Sequence, residues 1–182
     1  MILLLLPIVA GVALPQQPQA QLRTAYDSTM HVVADVGLAV AGVRGHLDHY
    51  RTLVFNDSNA TGTLMETGTA LRGTCDQLTQ AATSGHRIIC LHCLIASLQP
   101  AMNHYRAYLP QLAVFGRRCS AMLSQRTLER AKPVDLRRIV LSLGQLTVQN
   151  LRVYEVRVGE VRAALETPDE RVRPSASGRP GP

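Results

Sequence analysis

The sequence has 182 residues and a formal net charge of +6 at pH 7, from 19 lysines and arginines against 13 aspartates and glutamates. The basic residues are spread along the chain, which has no tryptophan and only two phenylalanines. A nucleic-acid-binding surface usually gathers basic residues into a stripe with interleaved aromatic residues. The composition therefore argues against a nucleic-acid partner and indicates solvated helix faces on one domain of ordinary size.

The N-terminal residues 1–20 are predicted to form a secretory signal peptide and leader. Their apolar run, 2–14, is shorter than the about 20 residues that a membrane-spanning helix needs. Gly11 and Ala13 supply the small residues that a signal peptidase requires, so cleavage is expected after Ala13, with Ala20 as the alternative. Charged residues recur throughout the rest of the chain, so stable membrane insertion is not expected. We expect a secreted, extracellular protein.

The first long pattern after the leader predicts one amphipathic helix from about Leu22 to Val54. Its apolar residues recur in steps of three and four, the spacing of a helix face. They are Leu22, Tyr26, Met30, Val33, Val36, Val40, Val43, Leu47, Tyr50 and Val54. A polar loop follows, and two adjacent sequons begin there, at Asn56 and Asn59. Both fit the acceptor pattern for N-glycosylation, so we expect a glycoprotein.

The middle of the chain predicts three shorter helices. The first runs from about 60 to 83 and ends at a turn indicated by Ser84 and Gly85. The second runs from about 88 to 99. The third begins at Pro110, because proline suits the first turn of a helix, and it reaches about residue 130.

The last helix is expected from Pro133 to about Glu166. A second regular stripe supports it: Leu136, Val140, Leu143, Thr147, Leu151, Tyr154, Val158, Val161 and Leu165. The tail, 167–182, is rich in Pro, Gly, Ser and Arg and is expected to be disordered. The predicted fold is therefore all-α: residues 21–166 form a bundle of four to five helices whose first and last helices are long.

Four cysteines, Cys75, Cys90, Cys93 and Cys119, predict two disulfides in the middle hairpins of an exported domain. Cys90 and Cys93 form a CxxC motif, but thiol redox activity is typical of a βαβ context rather than a helical one. A structural zinc site usually needs a second closely spaced ligand pair, which this spacing lacks. No metal or cofactor is expected.

Geometry ranks the three possible pairings. A turn near Ser84 would place Cys75 opposite Cys93, since each is nine residues from it, and leaves Cys90 to pair with Cys119. The Cys90–Cys119 bond requires a helix break in the region 100–110, because a straight helix would hold these two residues about 43 Å apart. The swapped pairing, Cys75–Cys90 with Cys93–Cys119, ranks second. Cys90–Cys93 with Cys75–Cys119 ranks third.

No catalytic constellation is visible in the sequence. It has no nucleophile elbow, no HExxH pattern and no phosphate-binding glycine loop, so an enzyme is not expected. Helical bundles can instead hold small apolar ligands between their helices. Tyr26, Met30 and Tyr154 lie on the stripes of the two long helices and are the candidate ligand-binding residues.

The segment from Cys90 to Cys119 resembles the cysteine-bounded helical core of insect secreted TsetseEP-type proteins, with Cys90 or Cys93, Tyr105 and Cys119 at matching positions. The resemblance implies a non-enzymatic protein secreted into the gut or reproductive tract. We therefore expect a secreted helical protein that binds a partner protein or a small apolar ligand, such as a lipid or steroid, in an extracellular fluid. The alternative is a four-helix, cytokine-like signalling ligand.

Overall fold

The computed structural model describes residues 17–56, 61–90 and 94–166, and every regular element in these ranges is a helix. Four helices are long and one is short: α1 (Gln17–Asn56), α2 (Thr61–Ile88), α3 (Gln99–Met122), α4 (Gln125–Arg130) and α5 (Pro133–Glu166). The all-α prediction is confirmed, as are the long first and last helices. The predicted leader up to residue 16, the predicted glycosylation site Asn59 and the tail 167–182 lie outside the described residues.

The four long helices form an antiparallel bundle in which each helix packs against the next. α1 contacts α2 and α5, and α3 contacts α2 and α5, so the four helices close into a ring. Pairs across α1 and α5 show the direction: Arg44 meets Glu155, whereas Phe55, later in α1, meets Arg137, earlier in α5. The connection between α1 and α2 spans only four residues. The bundle therefore runs up, down, up and down.

The predicted stripes of the two long helices form much of the core. In α1 the stripe is buried from Val36 to Val54, and in α5 it is buried from Leu136 to Val161 except at Tyr154, which is half-buried. Burying one such aliphatic side chain stabilises a fold by about 1.5–3 kcal/mol. The 3.6-residue periodicity therefore identified both helices and their inward faces over these ranges, whereas Leu22 and Leu165, at the outer ends of the predicted stripes, are exposed.

The predicted turn at Ser84 and Gly85 is wrong, because α2 continues through both residues to Ile88. Gly85 is needed for close packing inside the bundle. A Cβ atom on Gly85 would lie 2.5 Å from Val32 Cγ1 and 3.1 Å from a methyl carbon of Leu109. The reversal occurs later, in the connection between α2 and α3. Of the helix predicted over 88–99, the described residues 89, 90 and 94–98 are not helical.

The predicted break in the region 100–110 is also wrong, because α3 runs through Pro110. Proline has no N–H to donate to the carbonyl four residues earlier, which here belongs to Arg106. The ring Nδ1 of His86, at the end of α2, lies 3.3 Å from that carbonyl oxygen, and the Arg106 Nε donates to the His86 carbonyl at 3.2 Å. A side chain from the neighbouring helix thus supplies the hydrogen bond that proline removes.

The first two pairings predicted for the cysteines are wrong. The structure joins Cys75 of α2 to Cys119 of α3, with 5.9 Å between their Cα atoms. Residue 97, in the true reversal, lies midway between Cys75 and Cys119 in sequence, whereas the predicted turn lay near Ser84. The observed bond belongs to the third pairing, whose other members are Cys90 and Cys93. Cys93 lies outside the described residues.

Candidate functional site: a groove between α1 and α5

A groove of about 700 Å³ lies between α1 and α5. Its floor is made by buried side chains from the two stripes: Leu47 of α1 and Val140, Thr147 and Leu151 of α5. The volume lies within the range of about 300–1,000 Å³ that is usual for small-ligand sites. The groove therefore offers a mainly apolar surface that no described part of the chain covers.

The α5 wall of the groove contains two exposed apolar residues. Leu141 and Val148 are each 52% exposed. They are seven residues apart and so share a face of α5, beside the buried stripe. Gly144 lies between them on that face, and a Cβ atom built on Gly144 would meet no atom within 4 Å. A small residue at this position keeps the middle of the groove open.

Charged side chains of both signs surround the groove. Arg44 of α1 donates to Glu155 of α5 at 2.7 Å, and this ion pair crosses from one helix to the other. Asp48, Arg51 and Arg152 complete the charged lining. With three arginines and two carboxylates, the rim has nearly balanced charge. An exposed pair such as Arg44–Glu155 contributes only about 0–1 kcal/mol to stability, so it marks the rim more than it holds the helices together.

A shallower depression continues the groove toward the end of α1. It shares Asp48, Arg51 and Leu141 with the groove and extends to Phe55 and Asn56. The Arg137 guanidinium lies 5.8 Å from the centroid of the Phe55 ring, a cation–π geometry. Asn56, one of the two predicted glycosylation sites, is exposed here at the last position of α1.

Thr147 lacks a hydrogen bond that several other threonines of the bundle make. Six of them donate their hydroxyl to the carbonyl oxygen four residues earlier in the same helix; they are Thr24, Thr29, Thr52, Thr69, Thr79 and Thr83. Thr147 is only 5% exposed, and its buried Oγ1 has no hydrogen-bond partner among the described residues. A buried hydroxyl without a partner is costly, so its presence in the floor of a groove calls for an explanation.

The residues predicted to bind a ligand lie outside this groove. Tyr26 and Met30 are half-buried in the N-terminal half of α1. Tyr154 is half-buried on α5, and its hydroxyl oxygen would lie 3.0 Å from a Cβ atom on Gly37. None of the three lines the groove, so their role in binding stays a prediction. The sequence did carry one clue to the groove: Leu141 and Val148 are apolar residues off the stripe, with a glycine between them.

Buried tyrosines support the side of α5 that faces α3. Tyr108 donates its hydroxyl to the Asn150 carbonyl at 2.6 Å, and burial raises the pKa of Tyr108 to about 12. Burial also raises the pKa of Tyr105 far above its ordinary value, with a further increase from nearby Tyr154. These phenols are neutral at physiological pH and act as packing groups between α3 and α5.

Two other kinds of site were searched for in the described ranges. No group of three or more His, Cys, Asp or Glu side chains is arranged there to hold a metal ion. Nor does any helix in those ranges combine the length and apolarity that crossing a bilayer requires.

Comparison with known proteins gives no relative from which to transfer a function. No protein-family model matches the chain, and no similar curated protein or solved structure was found. The resemblance to insect TsetseEP-type proteins therefore stays a prediction, and the functional argument rests on the geometry of the groove.

Proposed function

We propose that the protein is a secreted, non-enzymatic carrier that binds a small, mainly apolar ligand in the groove between α1 and α5. The observation that supports this most directly is the groove itself: about 700 Å³ with an apolar floor and two exposed apolar residues in one wall. Leaving such surface uncovered forgoes about 25 cal/mol for each Å² that stays in contact with water. A bound apolar molecule recovers that free energy.

The connectivity of the bundle favours a carrier over the cytokine-like alternative. Helical cytokines run up, up, down and down, and this order requires two long crossover connections. Here four residues separate α1 from α2, and consecutive long helices are antiparallel neighbours. In the described ranges, no long crossover loop covers the groove between the first and last helices.

The proposal includes an extracellular location with two disulfides. Since Cys75 is bonded to Cys119, the remaining pair is Cys90 with Cys93. The intact mass of the secreted protein should be lower by four protons than that of its reduced form. Peptide mapping should then recover both bonds; alkylation of Cys90 and Cys93 in the unreduced protein would contradict this part of the proposal.

Ligand binding can be tested with diphenylhexatriene, an uncharged hydrocarbon whose fluorescence rises in apolar surroundings. The wild-type protein should bind this probe, and Gly144→Leu should abolish binding, because the added side chain occupies the middle of the groove. Gly159→Leu is the matched control: it lies on the same helix, also has open space around a built Cβ atom, and is outside the groove. Equal binding by both variants would overturn the proposal, as would no binding by the wild type.

A further inference from the structure

The floor of the groove contains one polar side chain among apolar ones. Leu47, Val140 and Leu151 present only hydrocarbon, whereas Thr147 carries a hydroxyl. Valine has nearly the same shape as threonine and would fill this position without a buried polar atom. Thr147 thus brings a polar group to a place where packing alone does not require one.

The Thr147 hydroxyl also leaves its simplest intramolecular bond unmade. A threonine within a helix can donate to the carbonyl four residues earlier, and six threonines of this bundle do so. The Thr147 Oγ1 has no such bond and no other partner among the described residues. Threonine populates two χ1 rotamers in helices, so rotation about the Cα–Cβ bond changes the direction of the hydroxyl of this groove-lining residue.

We infer that the ligand is an uncharged apolar molecule with a hydroxyl or carbonyl oxygen, and that this oxygen hydrogen-bonds with the Thr147 hydroxyl. The inference rests on the proposed function of the groove and specifies its ligand class. The nearly balanced rim supports an uncharged ligand: the Arg44–Glu155 ion pair joins two of its five charged groups, and the single negative charge of Asp48 offsets one of the two remaining arginines, Arg51 and Arg152. An apolar floor with a single hydroxyl matches an apolar skeleton with a single oxygen.

The hydroxyl gives the groove a means of selecting its ligand. An oxygen-bearing ligand supplies the hydrogen bond that Thr147 lacks, whereas a pure hydrocarbon leaves the hydroxyl unpaired. One such bond corresponds to an affinity difference of about tenfold. Thr147 is therefore a specificity-determining residue for the proposed carrier.

The test compares Thr147→Val, which keeps the shape and removes the hydroxyl, with Thr147→Ser, which keeps the hydroxyl. Diphenylhexatriene is bound to each protein and displaced by androstanone, a ketone, or by androstane, the hydrocarbon with the same skeleton. In the wild type and in Thr147→Ser, the ketone should displace the probe at an about tenfold lower concentration than the hydrocarbon. In Thr147→Val this preference for the ketone should be lost, because its oxygen would be buried without a partner, and binding of the probe itself should be unchanged.

The melting temperature of the free protein provides a second readout. Thr147→Val should melt at the same temperature as the wild type or higher, because it removes an unpaired buried hydroxyl. A lower melting temperature would show that the hydroxyl has a structural partner and would overturn the inference. So would a ketone preference that survives in Thr147→Val, or a failure of both steroids to displace the probe. In these cases the groove proposal still stands if Gly144→Leu abolishes probe binding and Gly159→Leu does not.

Discussion

Gly116 permits the close approach of α2 and α3 beside the disulfide, and replacing it with alanine should destabilise the protein. It lies in α3, one turn before Cys119. A Cβ atom on Gly116 would contact the Thr79 hydroxyl oxygen and would lie 2.8 Å from the Cys75 carbonyl oxygen and 3.1 Å from the Thr79 nitrogen. Two of these three atoms belong to the backbone of α2, so a side-chain rotation cannot relieve the clash.

The magnitude follows from two opposing effects. Replacing glycine by alanine within a helix stabilises it by about 1 kcal/mol. Overpacking a well-packed contact costs about 1–3 kcal/mol, and here the upper half of that range applies, because the Cys75–Cys119 bond prevents the two helices from separating. The free energy of unfolding should therefore fall by about 1–2 kcal/mol, and the melting temperature by about 2–8 °C.

Gly73→Ala is the matched control, since it lies on α2, is exposed, and has no atom within 4 Å of a built Cβ. It should stabilise the protein by about 0.5–1 kcal/mol, because only the helix propensity changes. Urea unfolding of both variants under oxidising conditions measures the difference. If Gly116→Ala is stabilised as much as Gly73→Ala, the close approach of the two backbones is wrong.

Three further predictions concern polar contacts between helices. His86→Ala should cost about 1 kcal/mol in urea unfolding, because it leaves the Arg106 carbonyl without a donor; the cost should largely vanish in the Pro110→Ala background, where alanine restores the N–H. Desolvation acts to raise the pKa of Glu160, but hydrogen bonds from Arg157 and His104 outweigh it, so the pKa is lowered from 4.5. The ionised Glu160 carboxylate therefore contributes to stability above pH 4.5, and this contribution is lost as the pH falls through its lower folded-state pKa. The stability difference between wild type and Glu160→Gln should shrink on acidification. An unchanged difference would contradict the hydrogen bonds to Glu160. Burial raises the pKa of Tyr108 from 10.0 to about 12, so its contribution is present below pH 10 and is lost as the pH rises toward 12. Tyr108→Phe should accordingly flatten part of the alkaline loss seen by circular dichroism, and an identical alkaline profile would count against this assignment.

The helices could be predicted because their information is local. The stripe from Leu136 to Val161 repeats with the helical period, and Pro133 suits the first turn of α5, so both the element and its inward face follow from the sequence. The same reasoning identified α1. Neither result needed any knowledge of what lies across the bundle.

The connections could not be predicted because they depend on the neighbouring helix. Gly85 is typical of a turn in the sequence, but in the structure its lack of a side chain leaves room for Val32 and Leu109 to pack against α2. Pro110 reads as a helix start, but His86 supplies the hydrogen bond that lets α3 continue through it. The pairing of the cysteines followed the position of the reversal, so the error at Gly85 became an error in the disulfides.

The groove was missed for a related reason: it depends on how far apart α1 and α5 lie, which periodicity does not report. Its individual members were visible in the sequence. Thr147 was placed correctly on the buried stripe, but nothing in the sequence showed that its hydroxyl would lack a partner. Tyr26, Met30 and Tyr154 were predicted because they lie on the stripes of the two long helices, and this criterion selects packing residues of a bundle as readily as ligand contacts.

Several residues of the groove lower the stability of the free protein. Gly144 weakens the middle of α5 although a Cβ atom there would meet no atom within 4 Å, Leu141 and Val148 expose apolar surface, and the Thr147 hydroxyl is buried without a partner among the described residues. The hydroxyls of Tyr50 and Tyr105 are also buried without a partner among the described residues, but at the groove three departures of different kinds lie together, and such departures concentrate at functional sites. Each departure here is reversed by the same event, the binding of an apolar molecule with one oxygen. Their coincidence in one groove is the strongest argument that α1 and α5 form a ligand site.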